Sequence, residues 1–154
     1  MEESNDIFSF RGICYSGNLT KLKHLIEKNE DNLTFITSIN AIETLFHIIN
    51  GKSDSENKKD IMIYLKREKF LDLNINHGFA LEMAVQNNDI SLVQFLIGEG
   101  VKMPPGDDGI LLYHAAKQNN YDMFFLLKSS GIQIDAELLE EIKTLDFNKR
   151  FNLF

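Results

Sequence analysis

Cys14 and four histidines, His24, His47, His77 and His114, are the residues in this chain best equipped for chemistry. A thiolate beside an imidazole would be a nucleophile and base pair, and clustered His and Cys would bind zinc. No two of these residues fall at metal-ligand spacing. Cys14 occupies a small apolar position within a helical pattern, so a buried thiol is expected rather than a nucleophile. Gly51-Lys52-Ser53 imitates the end of a phosphate-binding loop, but the upstream glycine that such a loop requires is Phe46, and the segment follows a helix rather than a strand. Asp54, Glu56 and Asp60 approach a calcium-loop spacing without its glycine, and a solvated insertion accounts for them. There is no Gly-x-Ser-x-Gly, no His-Glu-x-x-His and no glycine-rich dinucleotide fingerprint. The expectation is a non-enzyme with no metal and no cofactor.

Composition bounds the partner. The 154 residues carry a net charge of −7, with lysine and arginine scattered, a balance that repels a phosphate backbone. No apolar run approaches the roughly 20 residues that span a bilayer, and the acidic start Met1-Glu2-Glu3 is unlike a signal peptide. Neither nucleic acid nor membrane is expected. One cysteine makes no internal disulfide and fits a reducing, intracellular and cytoplasmic setting. Without secretion, the glycosylation patterns at Asn18-Leu19-Thr20 and Asn32-Leu33-Thr34 carry no meaning.

The elements that position these residues repeat. Gly78 to Val101 and Gly109 to Ile132 share one layout. The glycine pairs Gly78/Gly109 and Gly100/Gly131 are each 31 residues apart. A third copy runs from Phe8 to Asn29: Phe10, Ile13 and Cys14 on a first helix, a turn at Ser16-Gly17-Asn18, then Leu19, Leu22, Leu25 and Ile26 on a second. Gly17, Asn88 and Asn119 take the same turn position, where a left-handed backbone suits Gly and Asn. A further unit opens at Thr44, read as an N-cap. Its second helix resumes at Asp60 to Lys66 after a polar insertion, and Leu71 to Gly78 reads as an extended, hairpin-like connection. The stretch from Lys102 to Gly109 holds both prolines and cannot be helix. Asp135 caps a last helix from Ala136 to about Leu145, and the aromatic tail is expected to fold back on it. Ala84, Ala115 and Ala116 allow close helix approach, with Leu25, Leu96 and Leu126 in the second-helix layer. Tyr121, Phe124 and Phe125 read as core, although adjacent rings cannot face inward equally.

These units resemble ankyrin repeats. The family's Thr-Pro-Leu-His-x-Ala-Ala signature persists as Thr44 and His47, as Leu81 and Ala84, and as Leu112, Ala115 and Ala116. Ser16 to Ile26 is similar to a common first-repeat sequence, and Asp72-Leu73-Asn74 resembles the end of a repeat. The signature proline is absent, Gly78 and Gly109 sit one residue nearer the next helix, and the second unit carries the insertion. The resemblance implies an all-α ankyrin-repeat solenoid: one domain over 1–154, with units near 6–36, 43–73, 78–108 and 109–134 and a cap at 135–154. It also implies that His47 hydrogen-bonds locally.

Function follows from the same resemblance. Such repeats grip another protein in a concave groove of hairpin tips and first-helix positions. Here those positions are Tyr15, Ser16, Asn76, His77, Gln86, Asn87, Asp107, Asp108, Lys117 and Gln118. The expected protein is a monomer that blocks or tethers a protein partner. Replacing Asn76, His77, Asp107 and Lys117 together by alanine is expected to abolish binding without loss of helix. Glu140-Glu141 before an apolar C-terminus is similar to the translocation signals of bacterial type IV effectors, which would make the chain a host-targeting effector delivered into a host cell, but the solvated face of a capping helix is the favoured reading of the two glutamates. The alternative readings are a regulatory subunit held to an enzyme through its outer helices, and an unrecognised enzyme.

Overall fold

The computed structural model describes residues 2–154, with side chains from residue 5 onward. The described residues form eleven helices and no strand. They divide into two compact units, Met1–Asn76 and His77–Phe154.

The first unit holds α1 (Glu2–Ser16), α2 (Leu19–Lys28), α3 (Leu33–Ser38), α4 (Ala41–Ile49) and α5 (Ser55–Arg67). α1 packs against α2, α3 and α4, while α5 packs against α2 and α4. Phe10, Cys14, Leu22, Leu45, Ile48, Ile61, Met62 and Leu65 form its core. The connection after α2 differs from a hairpin. Asn32 accepts the Phe35 N–H and starts the short α3, which brings the buried Phe35 ring edge-on to Phe10 at 6.1 Å. Thr44 is not a cap. Asn40 starts α4 by accepting the Glu43 N–H, and Thr44, one turn inside, is buried with its hydroxyl donating to the Asn40 carbonyl at 2.7 Å. α5 also begins earlier than its apolar spacing, because Asp54 accepts the Asn57 N–H and Glu56 complements the positive helix end. Much of the polar insertion is therefore helix.

The second unit holds most of α6 (Ile75–Gln86), then α7 (Ile90–Gly98), α8 (Gly109–Lys117), α9 (Tyr121–Ser129), α10 (Ala136–Thr144) and α11 (Asp146–Phe151). α9 packs against α7 and α8, and α10 and α11 pack against α8 and each other. The first turn of α6 stands where an extended connection was expected, and within it Asn76, His77 and Gly78 have φ of 52°, 56° and 84°, three successive left-handed positions. Ala84, Ala115 and Ala116 are buried, as are Leu92, Leu96, Met123 and Leu127. Leu126 is only half-buried, since Met123 and Leu127 point inward in its place. Asp135 caps α10 through the Leu138 N–H at 2.8 Å. The tail folds back as expected, with Phe147 of α11 buried against Phe124 at 4.9 Å between ring centroids.

One device builds three of the helix-to-helix turns. Gly17, Asn88 and Asn119 are left-handed, with φ of 75°, 59° and 55°, and each precedes a side-chain N-cap: Asn18, Asp89 and Asn120. The N–H groups of Asp89 and Asn120 reach back to the carbonyls of Ala84 and Ala115, both at 3.0 Å, closing the preceding helix. A left-handed residue followed by a cap ends one helix and starts the next within two positions.

Candidate partner-binding surface

In the first unit, helical spacing sets an exposed stripe opposite the core. Phe10 and Cys14 of α1 point inward, and Phe8, Arg11 and Tyr15, at i, i+3 and i+7, share another face. On α4, Ile42, Glu43 and Phe46 lie away from the buried Leu45, Ile48 and Ile49. A 2.7 Å ion pair from Arg11 Nη2 to Glu43 Oε2 ties the two stripes together, both partners half-exposed. Such a pair contributes only about 0–1 kcal/mol to stability. Its effect is to orient two charges among apolar neighbours. Phe8 is 74% exposed, Phe46 49%, Tyr15 38% and Ile42 37%. Sequence reading did not single out Phe8, Ile42 or Phe46, although a helical wheel places Phe8 about 200° from Phe10. Ser16 is exposed, its hydroxyl donating to the Ile13 carbonyl at 3.1 Å. His47 lies half-buried with its ring edge-on to Phe46 at 5.8 Å, in place of the local hydrogen bond expected of it.

In the second unit the corresponding faces are polar and cross-linked. Gln118 Nε2 donates to the Gln86 carbonyl at 2.7 Å, and Asn120 donates to the Asn88 side chain. Gln86 Nε2 lies 3.2 Å from Glu82 Oε1 and 3.3 Å from His114 Nε2, and Glu82 lies 3.9 Å from His114. Lys117 Nζ sits 5.9 Å from the Tyr113 ring centre. Gln86, Asn87, Lys117 and Gln118 are all exposed on these helix ends. Asp107 and Asp108 are not with them: they precede the nine-residue α8, whose other end carries Lys117 and Gln118, about 13 Å away by helix rise. Asn76 and His77 are exposed but left-handed. Alanine there would add backbone strain of about 1–2 kcal/mol per residue, so a variant including them alters the connection as well as the surface.

Burial lowers the His114 pKa from 6.5, opposed by the nearby Glu82 carboxylate and aided by Lys117. The folded site therefore favours the neutral ring. Its contribution to stability is intact above pH 6.5, where the unfolded histidine is neutral too, and declines as pH falls from 6.5 through the lower folded value. His114→Gln is expected to flatten the acid side of the stability profile, as measured by urea unfolding at neutral pH and at about pH 5.5.

Cys14 and the two loop motifs have structural roles. Cys14 is fully buried, and burial pushes its thiol up to about 12, so it stays a thiol at ordinary pH. The Lys52 N–H donates to the Tyr15 carbonyl at 3.0 Å, which places Gly51-Lys52-Ser53 as a turn packed on a turn. Asp54 caps α5, and Glu56 pairs with Lys59 at 2.6 Å. Among the described residues no group of three or more His, Cys, Asp or Glu side chains is placed to hold a metal ion.

A second exposed patch lies on α9. Phe125, 60% exposed, stacks on Tyr121 at 6.1 Å, and Tyr121 meets Phe151 at 4.9 Å. Phe124, its chain neighbour, is buried. Comparison with models of protein families, with curated proteins and with solved structures finds no match.

Proposed function

We propose that this chain is a non-enzymatic ankyrin-type repeat protein that acts as a monomer by holding another protein against its exposed first-helix faces. The observation that carries the reading is the stripe of Phe8, Tyr15, Ile42 and Phe46 around the Arg11–Glu43 pair. Aromatic side chains and arginine dominate binding energy at protein interfaces. A partner segment with an apolar anchor beside one acidic and one basic group fits this surface. The 31-residue recurrence and the shared left-handed turn position support the repeat architecture.

The test is paired capture from a native lysate with wild type and a Phe8→Ala/Phe46→Ala variant. Both side chains are exposed, so the fold should persist, as circular dichroism would check. A partner bound by wild type is expected to lose affinity by roughly thirtyfold, equivalent to about 2 kcal/mol. Undiminished capture by the folded variant would remove the first-helix face from the interaction.

The stacked Tyr121 and Phe125 favour a second reading, in which the chain is a regulatory subunit held to an enzyme through outer helices. In that case Phe125→Asp, not the Phe8/Phe46 variant, would release the partner.

A further inference from the structure

A separate groove lies in the first unit between α1 and α2. It encloses about 380 Å³, floored by Ile13 and Leu25 and rimmed by Thr20, Lys21, His24 and Lys28. The rim follows from helix geometry: Lys21, His24 and Lys28 stand at i, i+3 and i+7, within about 60° of one another around α2. Lys23 and Glu27 fall on another side, where Lys23 Nζ sits 5.5 Å from the centre of the Tyr64 ring of α5. The groove therefore opens on the flank of α2 turned away from α5. Lys28 is anchored by Asp6 at 3.1 Å, with side-chain exposures of 61% and 19%. Among the described residues, the side chains of Lys21 and His24 make no hydrogen bond or ion pair, and both residues are exposed. In a chain of net charge −7, this apolar channel carries a cationic edge against which Asp6 is the one paired anion described.

We infer that this groove docks an acidic amphipathic helix of a partner protein, with one apolar side chain on Ile13 and Leu25 and carboxylates on Lys21 and Lys28. The spacing sets the ligand. Seven residues of α2 separate the two lysines by about 10.5 Å, the same rise that separates two glutamates seven residues apart on an opposing helix. An apolar residue midway between those glutamates then faces the floor, and the lysine stems add apolar wall. A lipid chain suits the site less well, because two floor residues do not enclose it. A polyphosphate has no apolar group to cover the Ile13 and Leu25 floor. This surface is distinct from the Phe8–Phe46 stripe and stands whether or not that stripe binds.

The probe is a fluorescein-labelled, helix-stapled peptide with two glutamates seven residues apart and leucine midway, titrated by fluorescence anisotropy. Controls are the same peptide with glutamine for glutamate and vesicles of phosphatidylglycerol. The glutamate peptide is expected to saturate the wild type and weaken with salt. It should bind at least about tenfold less tightly to a Lys21→Glu/His24→Glu variant of unchanged circular dichroism. Of two further peptides, each with one glutamate changed to lysine, one should regain affinity for Lys21→Glu and so report the helix direction. Absence of saturable binding, equal binding of the glutamine peptide, or an unaffected variant would overturn the proposal. So would capture by the vesicles without capture of the peptide.

Discussion

Replacing Phe147 by alanine is expected to lower the unfolding free energy by about 3–5 kcal/mol, the usual cost of removing a buried phenyl ring. The ring is fully buried and lies between Phe124 and Phe151, with centroids at 4.9 and 5.0 Å. α11 has six residues, too few to hold as an isolated helix, so its order depends on this burial against α8 and α10. Urea unfolding should show the loss, and hydrogen exchange should show α11 and the facing part of α8 opening first. A loss below about 1 kcal/mol would mean that the tail does not close this core.

Gly51→Ala is the second large effect. A Cβ there would stand 2.3 Å from the Tyr15 carbonyl oxygen and 2.9 Å from that of His47, both backbone atoms. Neither can rotate away as a side chain could, so the turn must shift and the Lys52-to-Tyr15 hydrogen bond must lengthen. The expected cost is about 2–4 kcal/mol, from overpacking plus a weakened backbone hydrogen bond. Gly98→Ala is the matched control: nothing lies within 4 Å of its Cβ, and helix propensity predicts a neutral or slightly stabilising change. Thermal and urea unfolding of the pair would check the contrast. Equal stability would mean that the two turns do not pack at this distance.

Side-chain chemistry made parts of this fold legible in sequence. Asn88 and Asn119 occupy the left-handed positions assigned beside Gly17, Asp135 caps α10, and Cys14 is buried where the apolar spacing put it. The start of α5 was hidden because its first turn is polar and held by a cap, which hydrophobic periodicity does not register. The left-handed run from Asn76 to Gly78 was hidden for a different reason: asparagine permits that backbone without requiring it, and histidine gives little hint of it.

The candidate surface divides in the same way. The exposed polar residues Gln86, Lys117 and Gln118 were legible, whereas the hydrogen bond from Gln118 to the Gln86 carbonyl, 32 residues apart, was not. Phe8, Ile42 and Phe46 were not, because apolar type argues for burial until the angle around the helix is compared with that of Phe10 or Leu45. Phe125 shows the same tension resolved by adjacency, since Phe124 takes the inward position and leaves it outside.

The most direct measurement places a photo-crosslinking benzoylphenylalanine at Phe46 in one protein and at Phe125 in another, each irradiated with the captured partner. The two sites are comparably exposed, 49% and 60%, so access alone does not bias the comparison. A covalent adduct from position 46 and none from 125 is the predicted result. An adduct confined to position 125 would contradict binding through the first-helix face and assign the partner to the outer helices.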